Sequence, residues 1–362
     1  MKLRILAGAL AMCLLAAGCG VIGGGEESAP APTTTTTALP TTTTTTTTTA
    51  PPTTPTPPPR DINPFTGLKE LEPGASTRPI GVMIGNDSKS RPQYGIEQAD
   101  WYFEAETEGG ITRIMAVFAN PSRVPASLGP VRSARTPFVL LAESLDLIYV
   151  HAGGSVAAKA ALAERDLADI DALVYDGSYF WRDKTLRKEK GYEYSLLTSG
   201  SKLKSLCGRK NFRTTGRDRI PFTFEGDPAT GDKATTLQCE VSRLQTVNFK
   251  YYPDEGLYYK RNGTLKKPST HTTASGVQLS AANVIVLFDE QYAENSTTVG
   301  FELESGNGLL FTAGRVREIR WKRTASSLTF TEEDGSAARV SEGKSYVMLV
   351  NRSLKSGTTW NG

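Results

Sequence analysis

The chain has 362 residues, with 41 Lys+Arg against 38 Asp+Glu, a length that accommodates roughly two domains of about 150 residues. Losing Lys2 and Arg4 with a leader leaves 39 basic residues against 38 acidic ones, which excludes the basic domain or stripe of a nucleic-acid binder. Two histidines and four cysteines leave little for a Cys/His metal cage, so neither a metal nor a cofactor is expected.

Residues 1–19, MKLRILAGALAMCLLAAGC, carry Lys2 and Arg4 ahead of an apolar run from Ile5 to Leu15. That run is too short to span about 30 Å of hydrocarbon as a mature helix. It ends in Ala16-Ala17-Gly18-Cys19, a lipobox-like signal with Ala where Leu is preferred. The Cys19 thiol is then the site of acylation, by palmitate for example, and several chains make a stable membrane anchor. Residues 20–60 hold Thr33 to Thr37, Thr41 to Thr49 and prolines running to Pro59. Nothing there buries a face and proline opposes helix, so the segment reads as a disordered stalk open to O-glycosylation. The expected location is the extracytoplasmic face of a bacterial cell membrane.

From Asp61 to about Gly208 strands and helices alternate. Pro79 to Gly85 reads as a strand. Trp101 to Thr107 and Ile111 to Ala119 read as a hairpin turning at Glu108-Gly109-Gly110. Thr136-Pro137 looks like a helix start, a capping hydroxyl before a first-turn proline. Phe138, Leu141, Ala142 and Leu145 then share one helical face. Leu147 to Val150 is a buried strand, His151 to Ser155 a loop, Val156 to Ala163 a helix and Leu173 to Tyr175 a further short strand. This alternation predicts an α/β layer with a mixed, partly parallel sheet over residues 61–208.

Over residues 209–362 the texture changes to strands: Thr246 to Tyr252, Gly256 to Arg261, Asn283 to Phe288, Thr297 to Leu303, Leu309 to Thr312, Arg315 to Trp321, Ser327 to Thr331 and Ser345 to Val350. Turns fit at 253–256, 262–263, 306–308 and 333–335, so a β-rich antiparallel domain is expected and the fold class is α+β. His271, flanked by threonines, reads as an ordinary loop residue. Cys207 and Cys239 are an even pair in an oxidising compartment and predict a disulfide, the alternative being two separately buried thiols.

Several segments resemble the YerB-type lipoprotein family: Asn63 to Gly67, Arg78 to Ile84, Arg91-Pro92-Gln93, Glu104 to Arg113, Gly129 to Arg135, Tyr149 to Ser155 and Tyr179 to Asp183. The resemblance covers nearly everything after Pro59. It implies an exported lipoprotein with paired N- and C-terminal domains, both of unknown function, and it supplies no reaction. Gly85-Asn86-Asp87 stands where the family often has Asp-Asn-His, which removes a histidine there.

Two clusters carry candidate chemistry. Arg132 and Arg135 precede one helix, and His151, Gly153, Gly154 and Ser155 precede the next. If the strands are parallel these loops meet at the carboxyl edge of the sheet, where helix N-termini, glycine backbone and forked guanidiniums suit an anion. Otherwise the glycines serve turns, Ser155 caps a helix and the arginines pair with Glu104, Glu106 or Glu108. These three glutamates share one strand face by period two and, beside Arg113, can hold a sugar or an ion, or form a salt-bridge ladder. Trp101 to Phe103 and Tyr179 to Trp181 can stack on sugars or fill the core. No nucleophile elbow, Walker loop, dinucleotide fingerprint or zincin motif is present. The leading reading is a non-catalytic envelope protein that binds an anionic wall polymer or a cell-wall synthesis protein, with no catalytic residues. The alternative is a glycan-acting envelope hydrolase or transferase using Glu104, Glu106 or Glu108.

Overall fold

The computed structural model describes residues 61–362. The leader with Cys19 and the stalk lie outside the described residues.

In chain order the principal elements begin with β1 (Ile80–Gly85), β2 (Trp101–Glu108), β3 (Ile111–Phe118), α1 (Thr136–Ser144), β4 (Ile148–His151), α2 (Val156–Ala163) and β5 (Asp169–Asp171). Helices α3 (Lys184–Glu189) and α4 (Gly200–Arg209) follow. The rest is strand: β6 (Thr236–Glu240), β7 (Thr246–Tyr252), β8 (Leu257–Asn262), β9 (Ser269–Thr270), β10 (Asn283–Asp289), β11 (Ser305–Thr312), β12 (Arg315–Thr324), β13 (Ser327–Thr331), β14 (Ser345–Asn351) and β15 (Thr359–Asn361).

The architecture is α+β. The main sheet has 11 strands and runs β12-β11-β10-β14-β2-β3-β1-β4-β5, with Asp232–Lys233 at its outer edge and β13 paired to β12. It is mixed: β10 with β14, β14 with β2, β1 with β4 and β4 with β5 are parallel, while β2-β3 and β3-β1 are antiparallel. A six-stranded antiparallel sheet, β9-β8-β7-β6-β15 with Ser280–Ala281 beside β8, covers part of one face.

The central strands explain themselves. IGVMIG in β1 and NVIVLFD in β10 are buried at every position, because a sheet covered on both faces selects continuous apolar runs rather than alternation. One face packs Tyr102, Ile114 and Tyr346 against Val247, Phe249 and Tyr258 of the smaller sheet and against Leu203 and Leu206 of α4. The opposite face packs Phe103, Met115 and Tyr149 against Phe138, Leu141 and Ala158 of α1 and α2. Parallel pairing of β14 with β2 joins the two halves of the chain into one sheet, and all described residues lie in one compact unit. The divide near residue 208 separates chain segments, not sheets.

Four local expectations need correction. Residues 173–175 form a turn, and the short strand lies earlier, at Asp169–Asp171, where it finds β4 as a parallel partner. Gly306 to Gly308 do not turn the chain; they are paired residues near the start of β11, against Trp321, Arg320 and Ile319 in that order. Thr136 does not cap α1: the capping position is Arg135, with no side-chain hydrogen bond, and Pro137 sits in the first turn. The Cys207–Cys239 disulfide is absent. Both thiols are free and buried, Cys207 on α4 and Cys239 on β6, within one apolar layer. Each sulfur acts there as a small apolar group, and Cys239 Sγ accepts the Thr358 hydroxyl at 3.5 Å.

Candidate functional site

The loops of residues 129–135 and 151–155 do come together. Strand β4 pairs with β1 only along Ile80 to Val82. Beyond it the loop takes over the same edge, with Gly85 N–H donating to Pro130 O at 3.2 Å and Arg132 N–H to Met83 O at 2.9 Å. The two loops then pair with each other, Ala152 N–H to Arg132 O at 2.9 Å and Ala134 N–H to Gly153 O at 2.8 Å. Gly153 has φ 65°, a left-handed conformation that favours glycine.

The side chains at this edge are largely committed inward. Ser155 caps α2 by accepting Ala158 N–H at 3.1 Å. His151 is buried, with Nδ1 2.7 Å from Gly153 O and Nε2 2.6 Å from Asp169 Oδ1. Arg135 donates from Nε to Glu108 Oε2 at 2.9 Å and from Nη1 to Ala134 O at 2.7 Å. Arg113 pairs with Glu108 and donates to Ser133 O at 2.7 Å. Burial first, and then the charge of Arg135, lower Arg113 to about 10. Arg132 is half-buried: it holds the exposed Glu193 at 3.1 Å, lies over the Tyr194 ring at 4.9 Å, and keeps its Nε buried without a hydrogen-bond partner.

The three glutamates do not share a face. The β2–β3 register shifts between Glu106 and Glu108, so that Glu106 opposes Thr112 and Glu108 opposes Ile111. Thr107 is the extra residue of this bulge, and one extra residue reverses the side-chain alternation beyond it. Glu108 therefore turns to the α1 face and meets Arg113 and Arg135, while Glu104 stays on the opposite face. Glu106 accepts from Gln291 Nε2 at 3.1 Å. The aromatics Trp101, Tyr102, Phe103 and Phe180 are core, and Trp101 Nε1 donates to Phe65 O at 2.8 Å. Tyr179 and Trp181 are half-buried.

Glu104 anchors a second, buried polar cluster under the smaller sheet. Its Oε1 accepts Asn86 Nδ2 at 2.8 Å and the Thr112 hydroxyl at 2.7 Å, and its Oε2 accepts the Tyr346 hydroxyl at 2.6 Å. Lys260 Nζ lies 3.7 Å from Oε2. Lys260 Nζ also donates to Asn262 Oδ1 at 3.2 Å and to His271 Nδ1 at 3.1 Å. An Nδ1 that accepts leaves the ring proton on Nε2, which donates to Gln93 Oε1 at 3.0 Å. Gln93 Nε2 then donates to Gly85 O at 3.0 Å and Asn86 Oδ1 at 3.3 Å, and Asn86 returns to Glu104. The ring closes through five side chains, and each donor and acceptor named has one role.

Burial sets the charge states. It lowers Lys260 to about 8, against the pull of Glu104, with Arg91 adding to the lowering. Burial, then Lys260, then Arg91 hold His271 well below its ordinary value. Burial and Glu104 raise Tyr346. Arg91 stands beside the ring, and its Nη1 is buried with no hydrogen-bond partner.

Sequence reasoning singled out Glu104 and quoted Arg91-Pro92-Gln93 but missed Lys260, His271, Asn86 and Tyr346 as one cluster. Lys260 carried a signal: β8 alternates, and Lys260 occupies an inward position two residues from buried Tyr258. His271 carried none, since its burial depends on a loop packing against a distant segment.

Two family models match the chain: "Protein of unknown function (DUF3048) N-terminal domain" over residues 65–213 and its C-terminal counterpart over residues 237–347. "Putative lipoprotein YerB" of Bacillus subtilis (strain 168) is 31% identical over 294 residues, covering 79% of this chain and 85% of that protein. The chain belongs to the DUF3048 family. A crystal structure of YerB from Bacillus subtilis is similar with a TM-score of 0.70 and 27% identity, across 83% of this chain and 99% of that one. Within this DUF3048 chain the Arg91-Pro92-Gln93 and Glu104 to Arg113 segments, remote in sequence from Lys260 and His271, converge on the buried ring.

Proposed function

We propose that this DUF3048 protein is a lipid-anchored binding protein on the extracytoplasmic face of a bacterial membrane, held through Cys19. Its folded part recognises an anionic wall polymer or an envelope protein partner and does not act as a hydrolase. The anchor rests on the lipobox-like sequence and on the name of the Bacillus subtilis relative.

One observation carries the binding reading: Arg113, Arg132 and Arg135 crowd at the N-terminal end of α1. Arg113 and Arg135 share the single carboxylate of Glu108, and Arg132, half-buried at the same edge, pairs among the described residues only with the exposed Glu193. A cation cluster beside the partial positive charge of a helix N-terminus favours an anion. The carboxylates proposed for glycan hydrolysis speak against that alternative. A hydrolytic pair must flank one bond, whereas Glu104 and Glu108 point to opposite sheet faces and Glu104 is saturated by buried partners.

Co-sedimentation with isolated anionic wall polymer tests the reading. Arg132→Ala removes the guanidinium whose ion-pair partner, Glu193, is exposed; charge-assisted bonds amount to about 1.5–3 kcal/mol, so affinity should fall roughly tenfold or more with little change in melting temperature. Unchanged binding by Arg132→Ala overturns the edge as the site. Release of reducing ends from the polymer by wild type, lost in Glu104→Gln, favours the hydrolase.

A further inference from the structure

The buried ring has an opening. A cavity of about 400 Å³ is lined by Arg91, Pro92, Asn262 and residues 269–273, His271 among them. His271 and Asn262, both hydrogen-bonded to Lys260, line it, while Lys260 itself is fully buried. The main chain of Arg91 is fixed: its N–H donates to Asp87 O at 3.3 Å and its carbonyl accepts Lys190 Nζ at 2.8 Å. Its guanidinium is not matched. Nη1 is withdrawn from solvent without a hydrogen-bond partner, and among the described residues no carboxylate forms an ion pair with it.

The local charges do not balance. Arg91 and Lys260 are cationic, His271 is neutral, and Glu104 is the one carboxylate in the ring. Glu104 already receives Asn86, Thr112 and Tyr346 besides the Lys260 charge. The Arg91 charge acts on the same groups, lowering both Lys260 and His271. Arg91 as a whole is half-buried, and an N–H group withdrawn from water without an acceptor costs free energy unless something pairs with it. The rest of the lining, Asn262 and the hydroxyls of Ser269, Thr270 and Thr272, supplies neutral hydrogen-bonding groups beside Arg91.

We infer that this cavity is a second ligand site, in which the Arg91 guanidinium takes an oxyanion, a phosphate or a carboxylate, borne by a small polar molecule. The site lies on the sheet face opposite α1 and uses none of the arginines of the edge proposed above. The guanidinium fork matches either anion through two N–H groups. The Lys260–His271 side contributes long-range positive charge, and the hydroxyl-rich segment 269–273 contacts the body of the ligand.

The chain has two histidines, one at each proposed site, which makes the imidazole NMR spectrum a site-resolved reporter. Inorganic phosphate and acetate are titrated separately into the purified full chain at constant ionic strength, with chloride as control. The expected result is a saturable shift of the His271 ring signals by phosphate or by acetate; any shift of His151 reports the α1 edge separately. Phosphate alone marks a phosphate ligand and acetate alone a carboxylate. Arg91→Gln should weaken that response at least tenfold. It should also leave the ligand-free melting temperature unchanged or raised, because it removes a charge that opposes Lys260. A shift confined to His151, equal shifts with chloride, or no shift overturns the inference. So does an Arg91→Gln protein that melts early, since Arg91 would then be a structural partner; Arg91→Lys, which keeps the charge without the fork, should bind more weakly than wild type in every case the inference allows.

Discussion

Replacing Glu104 by Gln probes the buried ring most directly, because two separable costs can be worked from the geometry. The first is electrostatic. Lys260 in the folded protein titrates at about 8, and Gln at position 104 removes the one carboxylate that favours its charged form. The ammonium then gives up its proton, and at pH 7 that release costs about 1.4 kcal/mol for the one unit between pH 7 and 8. The second cost is the hydrogen-bond mismatch of an amide facing the Asn86, Thr112 and Tyr346 donors. One lost charge-assisted bond amounts to about 1.5–3 kcal/mol, so the total at pH 7 is about 3–4 kcal/mol. At pH 9 Lys260 is already neutral in wild type, leaving only the second cost, so the difference between variant and wild type should shrink by about 1.4 kcal/mol. The sign follows from linkage. The folded value of Lys260 lies below its unfolded value of about 10.4, so the unfolded chain binds the proton more tightly from about pH 8 to 10 and wild-type stability from this group rises with pH there. His271 stays neutral throughout, since its value is lowered further. Urea unfolding at pH 7 and pH 9 reads both quantities. A cost below about 1 kcal/mol, less than one charge-assisted bond, or the same cost at both pH values, would refute the Glu104–Lys260 coupling.

Cys19→Ala should abolish incorporation of labelled fatty acid, and equal label in variant and wild type would dismiss the anchor. Cys207 and Cys239 should resist alkylation in the native protein, because burial pushes their thiols up to about 11 and about 12; both should react fully in urea without reductant, and a linked peptide pair in a non-reducing map would contradict the free-thiol structure. Arg135→Ala should lower stability by about 1.5–3 kcal/mol, the range for a charge-assisted hydrogen bond, while Arg132→Ala, whose partner Glu193 is exposed, should stay within about 0.5 kcal/mol. Equal denaturation midpoints for Arg135→Ala and wild type would mean that its Glu108 pairing contributes nothing.

Local patterns in the sequence were enough to place most elements. The apolar runs of β1, β4 and β10, the hairpin of β2 and β3 around Gly109 (φ 56°) and Gly110 (φ 80°), and the apolar face of α1 each follow from periodicity and turn chemistry within a dozen residues or so. The proximity of the two loops at the α1 edge was not decided by parallel strands, because the 129–135 loop follows β3, which is antiparallel to β1; the loop meets residues 151–155 by pairing with Met83 and Gly85 of β1. Tertiary structure decided the rest. Period two cannot announce a bulge, so only the β2–β3 register shows that Thr107 sends Glu104 and Glu108 to opposite faces. Counting cysteines cannot reveal that both thiols fill the same apolar layer unlinked. The buried ring joins Asn86, Gln93 and Glu104 to Lys260 and His271, more than 150 residues away in the chain. That meeting depends on β14 pairing with β2 and on the smaller sheet closing over the same face, both of them non-local contacts. A hydrogen-bond network assembled from such contacts has no local sequence period, and it becomes visible only when the whole sheet is built.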